Sequence, residues 1–192
     1  MTLEELFTKY GTDKGIWGYT QAYEHHLGPM QGSATAVLEI GICGFRDIPN
    51  NVVGASLFAW RDYFPNAEIY GIDYDPRFIF NDQARIRTVQ ADAYDPVSLG
   101  MGLRAFGDAP RFDFICDDAV HDPLPQITLF RMLWPYLKRG GVYSIEDVCP
   151  YKCTNGTLDE MAALLMVCAP DASVTEYTTH KAERLLIVRK EP

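Results

Sequence analysis

A chain of 192 residues, 47% hydrophobic and 22% charged, suits one soluble globular domain with a sizeable core. Its net charge of −9, from 17 basic and 26 acidic residues, argues against a nucleic-acid partner and an anionic membrane surface, since both favour a basic face. No apolar run approaches a membrane span, and MTLEELFTKY lacks the blocks of a secretory signal. The five cysteines (43, 116, 149, 153, 168) are scattered, as buried thiols in a reducing compartment would be, so a cytoplasmic place is expected. Cys149 and Cys153 are spaced C-x3-C, but no second pair completes a zinc site.

The first thirty residues predict a short helix over 2–9, a polar turn at GTDKG (11–15) and a helical stretch around 19–28. They are read as an N-terminal cap or lid segment (1–30) on a single domain spanning 1–192. Strands are predicted at TAVLEI (35–40), AEIYGI (67–72), IRTV (86–89), FDFI (112–115) and VYSIE (142–146). These runs are short, apolar and rich in β-branched or aromatic residues, as strands covered on both faces are. Helical segments lie between them at 54–64, around 95–106 and at PQITLFRMLWPYL (125–137). In the last, Ile127, Phe130, Leu133, Trp134 and Leu137 share a face; Pro135 should kink or end it, and Gly140-Gly141 stop it. Alternating strands and helices imply a parallel sheet with right-handed crossovers. After a further helix (157–168), SVTEYTT (173–179) and RLLIVRK (184–190) are separated only by HKAE, which forces an antiparallel hairpin. The expected fold is therefore α/β, a Rossmann-like, doubly wound, mostly parallel seven-stranded sheet with an antiparallel last strand and a short helical cap.

VLEIGICG (37–44) runs a strand into E-x-G-x-x-G, where Gly41 and Gly44 let the backbone turn sharply and approach a ligand. The next strands end in Asp73 and Asp92. With Glu39, three acids then border the crevice outside the strand ends, an arrangement suited to a nucleoside. A carboxylate at Glu39 would repel a pyrophosphate but suits a cationic amino-acid tail, which favours S-adenosylmethionine (SAM) over NAD(P). The other reading of Asp73 and Asp92 is that each caps the helix that follows.

TKYGTDKGIWGYTQAYEHHL (8–27), VLEIGICG, GASLFAWRDYFPNAEIYGID (54–73), RIRTVQAD (85–92), FDFICDDAVHD (112–122) and RGGVYSIEDV (139–148) together resemble class I SAM-dependent methyltransferases, above all the metal-dependent macrolide and sugar O-methyltransferases. The resemblance implies a divalent ion, Mg²⁺ or Mn²⁺, held by Asp118, Glu146 and Asp147, with His121 as the base. Asp117 is an outer ligand or a SAM contact, and Thr12, Lys14 and Tyr19 are candidates for covering SAM or the acceptor. The residues point the same way: neighbouring strands ending at Asp117-Asp118 and Glu146-Asp147 crowd carboxylates that a hard cation would neutralise. CDDAVHD departs from the family's IDDGSH by placing Ala119 and Val120 at small polar positions.

The acceptor implied is a small-molecule hydroxyl, on a sugar or glycosylated natural product, with a catechol-like diol as the alternative. An NAD(P)-dependent oxidoreductase and a non-catalytic nucleotide-binding module are the rivals from other classes. A homo-oligomer is expected.

Overall fold

The computed structural model describes residues 1–43, 52–148, 158–180 and 184–192. Gly44 and the Cys149/Cys153 pair therefore lie outside the described residues.

Seven strands form one sheet: β1 (Ala36–Ile40), β2 (Glu68–Asp73), β3 (Ile86–Gln90), β4 (Phe112–Asp117), β5 (Leu137–Ile145), β6 (Ala172–Thr178) and β7 (Arg184–Lys190). Their order is β3-β2-β1-β4-β5-β7-β6. β1 pairs in parallel with β2 and β4, β2 with β3 and β4 with β5, whereas β7 runs antiparallel to both β5 and β6. The expected sheet is present, and its antiparallel strand lies one place in from the edge. The order reverses between β1 and β4, the position at which open α/β sheets form their ligand crevice.

Helices cover both faces. The cap helices α1 (Leu3–Tyr10), α2 (Lys14–Trp17) and α3 (Thr20–Leu27) join α4 (Ala55–Tyr63) on one side; α5 (Pro96–Ala105), α6 (Pro123–Leu133) and α7 (Leu158–Cys168) cover the other. α1 opens with a capping box, in which Thr2 and Glu5 each accept a hydrogen bond from the other's backbone N–H, and stops at Gly11 in the left-handed conformation. Its inner face, Leu3, Leu6 and Phe7, is buried. Phe7, Tyr23 and Trp60 meet edge to face, and Phe114 of β4 joins Tyr23 and Trp60 in the same way, so the cap is part of the core.

Two predicted boundaries move. α6 ends at Leu133, and Pro135 lies in a single 3₁₀ turn (Trp134–Tyr136), so proline does end the helix. Gly140-Gly141, read as the stop, instead lies inside β5, where the register shifts opposite Phe112–Phe114. Gly140 has φ 74°, and a Cβ on Gly141 would stand 2.8 Å from the Lys138 carbonyl oxygen and 3.0 Å from that of Asp113. The glycines form a bulge that a side chain would prevent.

Candidate active site

The register explains why chemistry collects here. Glu39 is level with Cys116, and Cys116 with Ser144, so three buried polar side chains form a row across β1, β4 and β5 on the face that the cap covers. Hydrogen bonding continues past the strand ends: Gly41 N–H donates to Ile72, Asp118 N–H to Ile40 and Glu146 N–H to Asp117. That ladder sets Gly41, Asp118 and Glu146 side by side on one rim. Gly41 has φ 91°, and a Cβ there would lie 2.2 Å from the Asp118 carbonyl oxygen, so only glycine fits.

Lys14 enters this rim from the cap. Its Nζ lies 2.6 Å from Asp118 Oδ2, 2.9 Å from both oxygens of Glu146 and 3.1 Å from Glu39 Oε1, with the side chain only 1% exposed. The cation that the charge of Glu39 called for is thus present within the chain. Glu39 also accepts from Trp60 Nε1 at 3.0 Å and is fully buried. Tyr23 donates to Glu146 and lies 3.1 Å from Ser144 Oγ. Tyr19 donates to Asp147 Oδ1. Thr12 is buried, its Oγ1 facing the Lys14 N–H at 3.5 Å.

On the open side, His121 Nε2 stands 3.3 Å from Asp147 Oδ2 and 3.6 Å from Asp118 Oδ1. Asp118, His121 and Asp147 each offer a ligand atom within 4.8 Å of the others. Glu146, expected beside them as a ligand, has both oxygens on Lys14. Asp147 is one of two non-glycine residues with positive φ (48°) among the described residues. Backbone strain of this kind costs about 1–3 kcal/mol and persists only where surrounding contacts impose it. Gln126 of α6 helps to do so by donating to the Glu146 carbonyl at 2.9 Å.

The outlying candidates are placed differently. Asp73 accepts from the backbone N–H groups of Ile42 and Asp75, both at 2.8 Å, tying the end of β2 to the turn after β1. Asp92 accepts from the Tyr94 N–H, while Asp95 caps α5. Asp117 points to the opposite face of the sheet from Cys116; it is fully buried, and its Oδ2 has no hydrogen-bond partner. Tyr94, whose hydroxyl accepts from the Val120 N–H at 3.0 Å, steadies the loop that carries His121.

Charge is in excess here. Glu39, Asp118 and Glu146 crowd about one ammonium, and Asp147 adds a fourth acid on Tyr19. Burial alone would raise the Asp118 pKa, but Lys14 and His121 hold it below the usual carboxylate range. Burial outweighs Lys14 at Glu146, whose pKa is driven well up with help from Asp118. Burial likewise raises Asp147 against the hydrogen bond from Tyr19, and brings Asp117 to about 8. Such a cluster takes up either protons or a cation. Two carboxylates and an imidazole facing one point form a donor set that suits a hard divalent ion, with the oxygens favouring Mg²⁺ or Mn²⁺.

An open cleft of about 780 Å³ is lined by cap and β6-end residues, among them Glu4, Tyr19, Gln21, His25, Tyr177 and His180, and by none of Asp118, His121 and Asp147. Among the described residues, no lysine or arginine lines it.

Sequence reasoning missed the inward turn of Lys14 and the roles of Tyr23, Gln126 and Tyr94. One signal was available for Lys14: a row of buried acids needs a counter-charge, and lysine supplies one from a turn rich in glycine.

No family model matches the chain. It is 37% identical over 153 residues, 79% of its length, to the 8-demethyl-8-(2-methoxy-alpha-L-rhamnosyl)-tetracenomycin-C 3'-O-methyltransferase of Streptomyces olivaceus, and covers 38% of that protein. It is 35% identical over 149 residues, 76% of its length, to the mycinamicin VI 2''-O-methyltransferase of Micromonospora griseorubida, covering 36% of it. The chain thus spans little more than a third of the curated relatives it matches. All of it superposes on the MycE methyltransferase of the mycinamycin biosynthetic pathway, solved with Mg and SAH, with a TM-score of 0.78, 28% identity and 55% of that chain covered. A second structure of that enzyme, with Mg, SAH and mycinamycin VI, gives 0.79 at 27% identity, again over the whole chain and 55% of the other. The fold is that of the Rossmann-like methyltransferases, and the sequence is similar to that of the sugar O-methyltransferases.

Proposed function

We propose that this chain forms a methyltransferase unit, moving the methyl group of SAM to a hydroxyl of a sugar or glycosylated natural product with the help of Mg²⁺ or Mn²⁺. The carrying observation is the convergence of Asp118, His121 and Asp147 beside the Gly41 turn, in a fold shared with the MycE methyltransferase, which was solved with Mg and SAH. Asp118 and Asp147 would hold the ion. Glu146, the remaining expected ligand, would join them only by sharing its carboxylate with Lys14.

A sugar hydroxyl has a pKa near that of water, and histidine near 6.5, a gap of order 13 kcal/mol for full proton transfer. A divalent ion supplies Lewis acidity that narrows this gap. His121 Nε2 receives the proton as the new O–CH₃ bond forms and the S–CH₃ bond breaks, leaving a neutral thioether. Asp118 and Asp147 stabilise the resulting imidazolium. The rim near Gly41 and Asp73 is assigned to the methyl donor. The acceptor is assigned to the opening onto which Asp118 Oδ1, Asp147 Oδ2 and His121 Nε2 face, where its hydroxyl would meet the base. A cytoplasmic homo-oligomer belongs to the same reading, with Leu164, Met166 and Val167 giving α7 an exposed apolar stretch.

The position of Nε2 also supports a second reading, in which His121 is a ligand. Titration of SAM with and without Mg²⁺, followed by methyl transfer to rhamnosyl and catechol acceptors, tests the main proposal. Absence of SAM binding, or binding of NADH in its place, refutes it. His121→Ala separates the two roles: a lost base lowers kcat at unchanged Mn²⁺ affinity, whereas a lost ligand lowers both.

A further inference from the structure

Each carboxylate on the cap side of the rim is held by a cap side chain. Lys14 takes Asp118 Oδ2, Glu146 and Glu39; Tyr23 takes Glu146; Tyr19 takes Asp147 Oδ1. What remains facing the opening is Asp118 Oδ1, Asp147 Oδ2 and His121 Nε2. The division is atom by atom within single carboxylates: Asp118 gives one oxygen to Lys14 and turns the other toward His121, and Asp147 does the same with Tyr19. Lys14 is 1% exposed and Tyr19 0%, so both are packed behind the acids.

From this geometry we infer that Tyr19 and Lys14 are positioning residues for a divalent-cation site, and that the N-terminal cap is a fixed wall of that site. The inference rests on the metal-dependent reading above. Tyr19 is the sharper case. Asp147 has a left-handed backbone and no regular element holds it, so the direction of its carboxylate depends on the contacts it makes. The Tyr19 hydroxyl pins one oxygen and thereby aims the other. Outer partners of metal-binding carboxylates typically contribute about 10–100-fold to metal affinity.

The test uses the full chain with Mn²⁺ alone, without methyl donor or acceptor, and reads free Mn²⁺ by electron paramagnetic resonance. Tyr19→Phe keeps the ring and its edge-on packing against Tyr23 and removes only the hydroxyl. The expected result is Mn²⁺ affinity weakened about tenfold or more. His26→Ala, which removes the contact between the cap and Tyr177 away from the acids, should stay within about twofold of wild type. Equal affinity in Tyr19→Phe and wild type overturns the inference, as does an equal loss in His26→Ala, which would make the effect one of general cap loosening. A wild-type chain that binds no Mn²⁺ refutes the metal reading itself, and the inference with it. In the unaltered chain, Mn²⁺ should also perturb near-ultraviolet tyrosine absorption. A silent spectrum despite binding counts against Tyr19 and needs no variant to fold.

Discussion

Replacing Lys14 with methionine retains the aliphatic stem and removes the charge. The ammonium lies 2.6–3.1 Å from the nearest oxygens of Asp118, Glu146 and Glu39. At an effective dielectric of 20, a contact of this length between two ionised groups, as with Asp118, represents about 6 kcal/mol of gross attraction. Most of that offsets the desolvation of the charges, so the measurable quantity is smaller. Removing one partner from a buried ion pair typically costs about 3–5 kcal/mol, because the others are left buried and unpaired. For a domain of this size the loss corresponds to a fall in Tm of roughly 6–20 °C. Thermal unfolding followed by far-ultraviolet circular dichroism at pH 7.5 reads it directly. Adding Asp118→Asn removes the ionised carboxylate nearest the lost ammonium, so the double variant should recover about half of the loss, a non-additive result expected of groups in contact. A Lys14→Met protein melting within about 2 °C of wild type would refute the reasoning, as would strict additivity in the double variant.

Gly41→Ala puts a methyl group against the Asp118 backbone at a position with φ 91°; it should cost about 3 kcal/mol or more in urea unfolding and abolish Mn²⁺ binding, and an unchanged urea midpoint would show that the turn yields. His26 is held at a pKa of about 4 by burial and by the charges of His25 and Arg189, below an ordinary value of 6.5. The unfolded chain therefore binds the extra proton between these values, so stability is complete above pH 6.5 and declines as pH falls toward 4. After allowance for solvent screening the loss is about 1–2 kcal/mol, and His26→Gln should flatten that limb of the pH–stability curve.

Much of the frame was legible from local pattern. Apolar strand runs and amphipathic helices report their own periodicity, and Gly41 announced a turn because a backbone beside a neighbouring strand end leaves no room for a side chain. Asp118 and Asp147 were legible as a pair because adjacent parallel strands must end together. Lys14 was not, since its partners lie 104 and 132 residues away and a lysine in a polar turn looks like any solvated one. The bulge at Gly140-Gly141 was hidden for a related reason: a glycine pair reads as a helix stop unless the carbonyls crowding it from Lys138 and Asp113 are known. Asp73 and Asp92 read from the sequence as ligand contacts, with helix capping as the alternative; their carboxylates do accept backbone N–H groups, but of turns, and the caps proper are Asp75 and Asp95.

The place of β7 between β5 and β6 bears on how the molecule is made. Strand β5 is finished at residue 145, but its free edge stays open until residues 184–190 exist, because within the sheet β6 pairs with β7 and not with β5. On the ribosome the chain therefore carries an apolar, unpaired strand edge through the synthesis of some forty residues. The hairpin must then arrive as a unit, its Leu185–Val188 segment closing the sheet in one late step. An interruption in that interval leaves the kind of exposed strand on which chains aggregate.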